Sequence, residues 1–584
     1  MKWHQLACGI ICGLLINFSA PATVYYVDVN SANPTPPFTN WSTAATDIQS
    51  AVDTSTNGDL ILVTNGIYQT GGRVVYGSLT NRVVINKAVT LQSVNGPAVT
   101  AILGYQNSTN ITNSVRCVYM TNNAVLNGFT LQGGGTLSQY TDNYDARQST
   151  GGGVYGESTN TILTNCFLIG NICKSQAAMF GGAGAYQATL NNCILSNNVV
   201  QGTGGGADHS VLNNCLVVSN SASDGGGTAY STLNYCTVIG NSAPFNGTSV
   251  SGGGTYQCVA NHCLIARNYA GILAGFGGGD YDGQLTDCIL SNNAAGSGGG
   301  SAQFMAGGNS LNGYLNNCLV ISNTAFGNGG GIYVGSGAIL VCNCTIVKNT
   351  ATNQYGGIYN GYCTNCIIYY NSCNPLFSSA FNYFYYTYIS YGCTTPLPFH
   401  NLGSITNDPV FVNPTAGDFH LASNSPCINS GKNLFVIGTN DLDGNPRIVG
   451  GTVDIGAYEY QTPASVLSYA WAQQYGLPTD GSADFTDPDG DGLNNWQEWK
   501  AGTIPTNAAS VLQLASPSNS VAGVTVTWQS VSGVTYYLQS STNLAAVPAF
   551  TALQSNLVGQ AGSTSYTDTS ATNGGPYFYR VGVQ

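Results

Sequence analysis

Along most of the chain the hydrophobic residues come in short bursts separated by polar turns, and the bursts recur in register. Representative bursts are "NCILSNN" at 192–198 and "NCLVISN" at 317–323. A cysteine heads the burst at Cys166, Cys193, Cys215, Cys236, Cys263, Cys288, Cys318, Cys344 and Cys366, at intervals of 21 to 30 residues. Two residues on stands an aliphatic (Leu168, Leu195, Val217, Val238, Ile265, Leu290, Val320, Ile346, Ile368). Five residues on stands an asparagine (Asn171, Asn198, Asn220, Asn241, Asn268, Asn293, Asn323, Asn349, Asn371). Three columns filled in every repeat mark a solenoid. Alternation with period 2 predicts short strands whose cysteine and aliphatic point inward together. The asparagine falls in the following turn, where its amide can bond up and down the stack and satisfy backbone that water does not reach.

Two further columns complete the pattern. The residue between cysteine and aliphatic is also mostly apolar: Phe167, Ile194, Leu216, Leu264, Ile289, Leu319 and Ile367. It should point outward, so either another segment covers it or it forms an interaction surface. Upstream, Tyr155, Tyr186, Tyr256, Tyr281, Tyr333 and Tyr359 follow the glycine runs at one repeat position. Facing out, they would form a discontinuous aromatic strip suited to stacking on sugar rings. The alternative is that tyrosine simply suits a pleated surface.

With about 25 residues per coil and rungs about 4.8 Å apart, the repeat predicts a β-solenoid of stacked parallel strands. The unit, GGGxY followed by LxNCxIxxN, resembles the right-handed parallel β-helix of the pectin-lyase-like superfamily over roughly residues 111–400. It also resembles the repeats of polymorphic outer-membrane proteins, with an aliphatic where those carry Phe. "WSTAATDIQSAVDTSTNGDLILVTNGIY" predicts a short helix with Ile48, Ala51 and Val52 on one face, then a strand. It is similar to the N-terminal cap that plugs such a helix. "NDPVFVNPTAGDFHLASNSPCINSG" and "DLDGNPRIVGGTVDIGAYEY" resemble the closing region of secreted β-helix proteins of the choice-of-anchor Q type, which usually carry Asp where Asn429 stands. The expected fold is all-β: a right-handed parallel β-helix, a small calcium-loop segment and a C-terminal β-sandwich. The expected segments are an export signal (1–22), the cap (23–110), the β-helix (111–400), its closing region (401–462), a calcium-loop linker (463–506) and the sandwich (507–584).

Composition narrows the function classes. The 584 residues include 76 Gly, only 7% charged residues and 43% hydrophobic ones, which fits many short strands and tight turns rather than disorder. A net charge of -12 argues against a nucleic-acid partner, since no basic stripe is available to displace counterions. Lys2, the apolar stretch Leu6–Ile16 and Ala20-Pro21-Ala22 read as an export signal. No later stretch is long and apolar enough for a transmembrane helix, so a secreted or cell-surface protein is expected. Removing that signal leaves 17 of the 19 cysteines. Stacked ladder cysteines present parallel side-chain vectors that suit a disulfide dihedral badly, so buried thiols are expected there. Cys373, Cys393 and Cys427, off the ladder, are better candidates for bridges.

The resemblance to pectate lyases implies an acid-bound calcium with an Arg or Lys base, and that to polygalacturonases an aspartate cluster with His and Lys. The sequence has no adjacent Asp pair, no Gly-His-Gly and no Arg-x-Lys. One column does carry chemistry. Immediately before each ladder cysteine most coils have Asn, but three consecutive coils have Tyr235, His262 and Asp287. Stacked a rung apart, His262 could bond Asp287 with Tyr235 on its other side, a set competent for proton abstraction from a polysaccharide. The alternative is a turn position open to any hydrogen-bonding residue. Arg267 and Lys348 read as solvated turn residues. Asp280 stands where other coils have apolar or small residues, an inward site that calls for bonds to the Gly277–Gly279 turn, while Asp282 reads as exposed.

"DPDGDGLNNWQE", residues 487–498, has the full EF-hand spacing. Asp487, Asp489 and Asp491 fall at positions 1, 3 and 5, and Gly492 at 6. Leu493 offers a backbone carbonyl at 7, Asn495 stands at 9 and Glu498 at 12. Hard oxygen ligands in such a loop suit Ca²⁺ in a structural role, and the loop resembles thrombospondin type 3 and dockerin-like loops. Residues 441–500 hold ten acids and two bases. Beyond them, "VTVTWQSVSGVTYYLQSSTNL" and the C-terminal strands alternate with period 2, and Trp528 resembles the core of a fibronectin type III-like sandwich. Two functions are open: a secreted or cell-surface β-helix that binds polysaccharide or a cell-surface component, or serves as an adhesin-like structural surface protein, and a pectate-lyase-like lyase or glycoside hydrolase acting on acidic polysaccharide.

Overall fold

The structure, a computed structural model, describes residues 22–106, 113–137, 145–174, 181–244, 249–304, 313–336, 339–374, 382–384, 386–572 and 574–584. The expected export segment lies outside the described residues apart from Ala22. The chain divides into two compact units, Met1–Leu216 and Val217–Gln584.

In the first unit, strands stack in parallel on three faces of a coil. One face runs Val24–Val27, Leu60–Val63, Thr90–Ser93, Val125–Asn127, Ile162–Thr164, Thr189–Asn191 and Val211–Asn213. The second includes Thr130–Gln132, Phe167–Ile169 and Ile194–Ser196, with Leu131, Leu168 and Leu195 in register. The third includes Val115–Met120, Val154–Gly156 and Ala185–Tyr186. The helix Ile48–Thr54 buries Ile48, Ala51 and Val52, and Asp47 caps it by accepting from the Ser50 amide.

In the second unit the same three faces recur, from Thr232–Asn234, Thr237–Ile239 and Thr228–Ala229 onward. A narrow fourth ladder runs from Ser242–Ala243 to Ser372–Cys373 and buries Ala243, Ala270 and Ala295. The chain is thus an all-β, right-handed parallel β-helix over this region. Every ladder cysteine and its aliphatic partner is buried, as the period-2 alternation requires.

The asparagines form a continuous bonded column within each unit. In the second, the Asn241 amide N and Nδ2 both donate to Asn268 Oδ1, at 2.9 and 3.0 Å, and Nδ2 also donates to the Val217 carbonyl at 2.9 Å. Asn268, Asn293, Asn323, Asn349 and Asn371 repeat this arrangement, and Asn382 closes it by donating to the Thr395 carbonyl. Each amide is fully satisfied without water, which is what permits a polar row inside an apolar coil. The glycine runs follow from this packing. A Cβ on Gly279 would stand 2.5 Å from the Gly300 carbonyl and 2.9 Å from Asn293 Nδ2, and Gly277 has a φ of 67°.

All 17 described cysteines are buried and none stands in a disulfide with another of them, the off-ladder Cys373, Cys393 and Cys427 included. Burial pushes the Cys117 and Cys258 thiols up to about 12, so they act as small apolar side chains.

After the last coils, the hairpin Phe411–Asn413 and Asp418–Leu421 folds against the second face. Phe411, Phe419, Leu421, Cys427, Ile428, Ile455 and Ala457 form one core with Leu319, Val347 and Ile367, and Ile289 packs against it. The outward apolar column is therefore covered here, while Leu264 stays 36% exposed. Buried within the closing segment, the Arg447 guanidinium lies 3.8 Å from Glu459 and donates to the Asp454 and Gly456 carbonyls. Burial pushes Asp454 up to about 7 and Glu459 up to about 9. The helices Tyr469–Gln474 and Asn495–Ala501 follow. The chain ends in two three-stranded antiparallel sheets around Val524, Val526, Trp528 and Leu538.

Candidate functional site

The column that holds Tyr235, His262 and Asp287 is a left-handed turn. Their φ values are 55°, 53° and 53°, and Asn317, Asn343 and Asn365 in the same column have 57°, 50° and 51°. Asparagine is the non-glycine residue that best tolerates this region, which explains its dominance there. Three coils in succession give up that preference.

The structure brings the three together. The Tyr235 and His262 rings stack at 4.7 Å between centroids with planes 25° apart. His262 Nε2 lies 3.4 Å from Asp287 Oδ2. Asp287 Oδ1 in turn accepts from Asn317 Nδ2 at 2.6 Å. Exposure falls along the row, from 62% for Tyr235 to 43% and 15% for the His262 and Asp287 side chains. The cause lies in the closing segment. Asn317, Asn343 and Asn365 donate their Nδ2 to the carbonyls of Asn440, Phe435 and Lys432, so a strap covers the column from Asn317 on. The trio stands just where that cover ends. The sequence contained the trio; the strap that borders it joins residues 67 to 123 positions apart and leaves no local signal.

The tyrosine column forms ring ladders. Tyr155 and Tyr186 stack at 5.5 Å and are 7% and 5% exposed, headed by Tyr119, which the repeat pattern had not singled out. Tyr256 stacks on Tyr281 at 5.2 Å and 3°, and Tyr333 on Tyr359 at 5.0 Å and 18°; all four are half-buried. Phe304 and Phe384 extend these two stacks. Ring faces within a ladder are taken up by their neighbours.

Asp280 is fully buried and accepts from Thr255 Oγ1, Ser301 Oγ, Gln303 Nε2 and the Gly283 amide at 2.8 to 3.2 Å. Its partners are thus the coils on either side and Gly283, rather than the Gly277–Gly279 turn. Burial pushes it up to about 7, against those bonds. Asp282 is also buried, 1% exposed, with the Phe304 amide donating to it, contrary to the exposed position expected. Lys348 is no solvated turn residue either: its Nζ donates to the Pro414 carbonyl and lies 5.3 Å from the Phe419 ring centroid, which ties the closing hairpin down. Arg267 is exposed.

Two other histidines pair with acids. His209 Nδ1 lies 2.5 Å from the buried Asp208; burial pulls its pKa down, but the bond to Asp208 outweighs it and the net shift is upward. His420 bridges Asp418 and Asp443 at 2.6 Å each.

In the acidic loop, oxygens of Asp487, Asp489 and Asp491 lie within 4.8 Å of one another. Asp487 accepts from the Gly490 and Gly492 amides, which shapes the turn. The helix Asn495–Ala501 starts at the ninth position, with Asn494 and Gln497 forming its capping box, and carries Glu498 inward. Glu498 is 0% exposed, and both its oxygens, Asp489 Oδ2, Asp491 Oδ2 and Asn495 Oδ1 are buried with no hydrogen-bond partner. Burial, with the charges of Asp489 and Asp491, pushes Glu498 up to about 7. Three carboxylates and an amide with orphaned oxygens, beside the Asp487 carboxylate, fit a hard divalent cation. Leu493 stands at the seventh position, with its amide held by Asp491 Oδ1.

No family model and no curated protein matches the chain. Solved structures do. A pectate lyase, Pel9A, is 13% identical over 75% of this chain and 96% of its own, with a TM-score of 0.33. XylC, solved with xylose, is 9% identical over 74% and 98%, with a TM-score of 0.35. The Dettilon tailspike protein is 14% identical over 60% and 66%, with a TM-score of 0.27. At such identities and TM-scores the likeness concerns the backbone alone.

Proposed function

We propose that this chain is a secreted or cell-surface protein that binds polysaccharide along its β-helix, with Tyr235, His262 and Asp287 as a contact point. The observation that carries this reading is the exposed Tyr235–His262 stack beside a carboxylate, at the point where the closing strap stops. An exposed aromatic ring next to a hydrogen-bonding imidazole and carboxylate is the combination that grips a sugar, ring on ring with hydroxyls bonded at the edge. The half-buried tyrosines Tyr256, Tyr281, Tyr333 and Tyr359 offer ring edges on another face of the coil, while in the first unit Tyr155 and Tyr186 form a buried stack of their own.

The 3.4 Å approach of His262 to Asp287 favours a second reading, a polysaccharide lyase or hydrolase. There Asp287 would orient His262, and His262 would take a proton from the sugar. One experiment separates the two. Purified protein is run in native gels cast with polygalacturonate, alginate or neutral glucan, and the same polymers are assayed for unsaturated products by absorbance. Retention weakened by Tyr235→Ala with no product supports binding. Product formation abolished by His262→Ala establishes the enzyme. Retention unchanged in both variants removes the column from either role.

The 487–498 loop is proposed to hold Ca²⁺ through Asp487, Asp489, Asp491, the Leu493 carbonyl, Asn495 and Glu498. The ion would neutralise the mutual repulsion of the four acids and fix the helix that leads to the terminal sandwich.

A further inference from the structure

The terminal sandwich carries a feature that the β-helix site does not use. Residues 507–584 contain one acid, Asp568, and one base, Arg580. Asp568 is 2% exposed and accepts from Tyr579 Oη at 2.9 Å, on the core side of its strand. Arg580, one residue on, lies on the opposite face and is exposed. It has no carboxylate partner among the described residues. Its Nε donates to Gln539 Oε1, its register partner, and its guanidinium lies 4.6 Å from the Phe550 ring centroid. The fork is therefore held in place by two contacts that do not neutralise it.

The same face holds a flat aromatic. Tyr537, two residues before Gln539, sits opposite Gly582. A Cβ on Gly582 would stand 2.4 Å from the Tyr537 ring and hydroxyl, so the phenol lies across the bare glycine backbone. Tyr536 and Leu538 take the core side, 1% and 0% exposed. Phe578, 38% exposed, completes the row. The result is a sheet face with a ring laid flat, an amide and a single fixed cation.

We propose that this face is a second glycan site, specific for chains that carry carboxylates, such as a uronate polymer. Tyr537 supplies the stacking surface, Gln539 a hydroxyl partner and Arg580 the bidentate contact to the sugar carboxylate. Charge complementarity selects this occupant: the only charged side chain exposed on the sandwich is positive, and a neutral chain would leave it unused.

The test uses full-length protein carrying Tyr235→Ala, which silences the column on the β-helix, with polygalacturonate and its methyl ester as probes. Binding to polygalacturonate should persist in that background and fall at least tenfold on adding Arg580→Gln or Tyr537→Ala. Arg580→Lys should fall between, and the methyl ester should bind as weakly as Arg580→Gln leaves the acid form. Loss of all binding in Tyr235→Ala protein, or full affinity in Arg580→Gln, would overturn the proposal. Because Arg580 is exposed, its variants should keep the parent unfolding midpoint, which separates lost contact from lost fold.

Discussion

At the scale of single residues, the coil interior is polar wherever the polarity can be fully bonded. Asp280 is the extreme case: a carboxylate at 0% exposure with four donors around it. Its folded pKa of about 7 lies above the ordinary carboxylate value of about 3.9. The folded chain therefore holds a proton that the unfolded chain has released. The stability this gives is fully present below about pH 4 and is lost as pH rises through about 7. Thermal unfolding midpoints measured from pH 4 to 8 should fall for the parent protein, and Asp280→Asn should make that fall shallower. An unchanged slope would mean that Asp280 is ionised throughout. The sequence showed Asp280 at an inward position but misplaced Asp282 and Lys348. Alternation reveals which side a residue faces, whereas Phe304 and Pro414, which cover those two side chains, lie 22 and 66 residues away.

At the scale of the element, the cysteine, aliphatic and asparagine columns were legible because each is imposed by the same neighbour one coil away. The Tyr235–His262–Asp287 column was legible as a deviation, and its left-handed geometry was not, because asparagine suits several turn types. That geometry yields a prediction. A tyrosine at φ 55° is strained relative to asparagine, so Tyr235→Asn should raise stability by about 0.5–1 kcal/mol in chemical denaturation while weakening retention by polysaccharide. A destabilised variant would show instead that the stack on His262 outweighs the backbone cost.

At the scale of the whole molecule, acidic charge concentrates in residues 441–500, after the coils in the chain. The acid spacing of the loop at 487–498 was readable, because it lies in twelve adjacent residues. The packing around it was not. Asn495 Nδ2 donates to the Ala483 carbonyl at 2.8 Å, Asp484 binds Ser465 and the Val466 amide, and Gly502 abuts Val531 and Val534 of the sandwich. Stripping divalent ions with a chelator should lower the unfolding midpoint, and re-adding Ca²⁺ should restore it. Glu498→Gln should unfold at the same temperature with or without the ion, and a calcium response that survives in that variant would place the ion elsewhere.

The asparagine column has a further consequence, for how such a chain can change length. Each rung between Asn241 and Asn371 bonds only to the coil before it and the coil after it, and all make the same set of bonds. A coil is thus an interchangeable part. Cutting out residues 269–293 would set Asn268 directly before Asn323 with every amide still matched, whereas cutting out half as many would strand a donor on each side of the scar. Deletions and duplications should therefore be tolerated in whole coils, and the number of coils becomes a quantity that can be counted up or down without redesigning the interior.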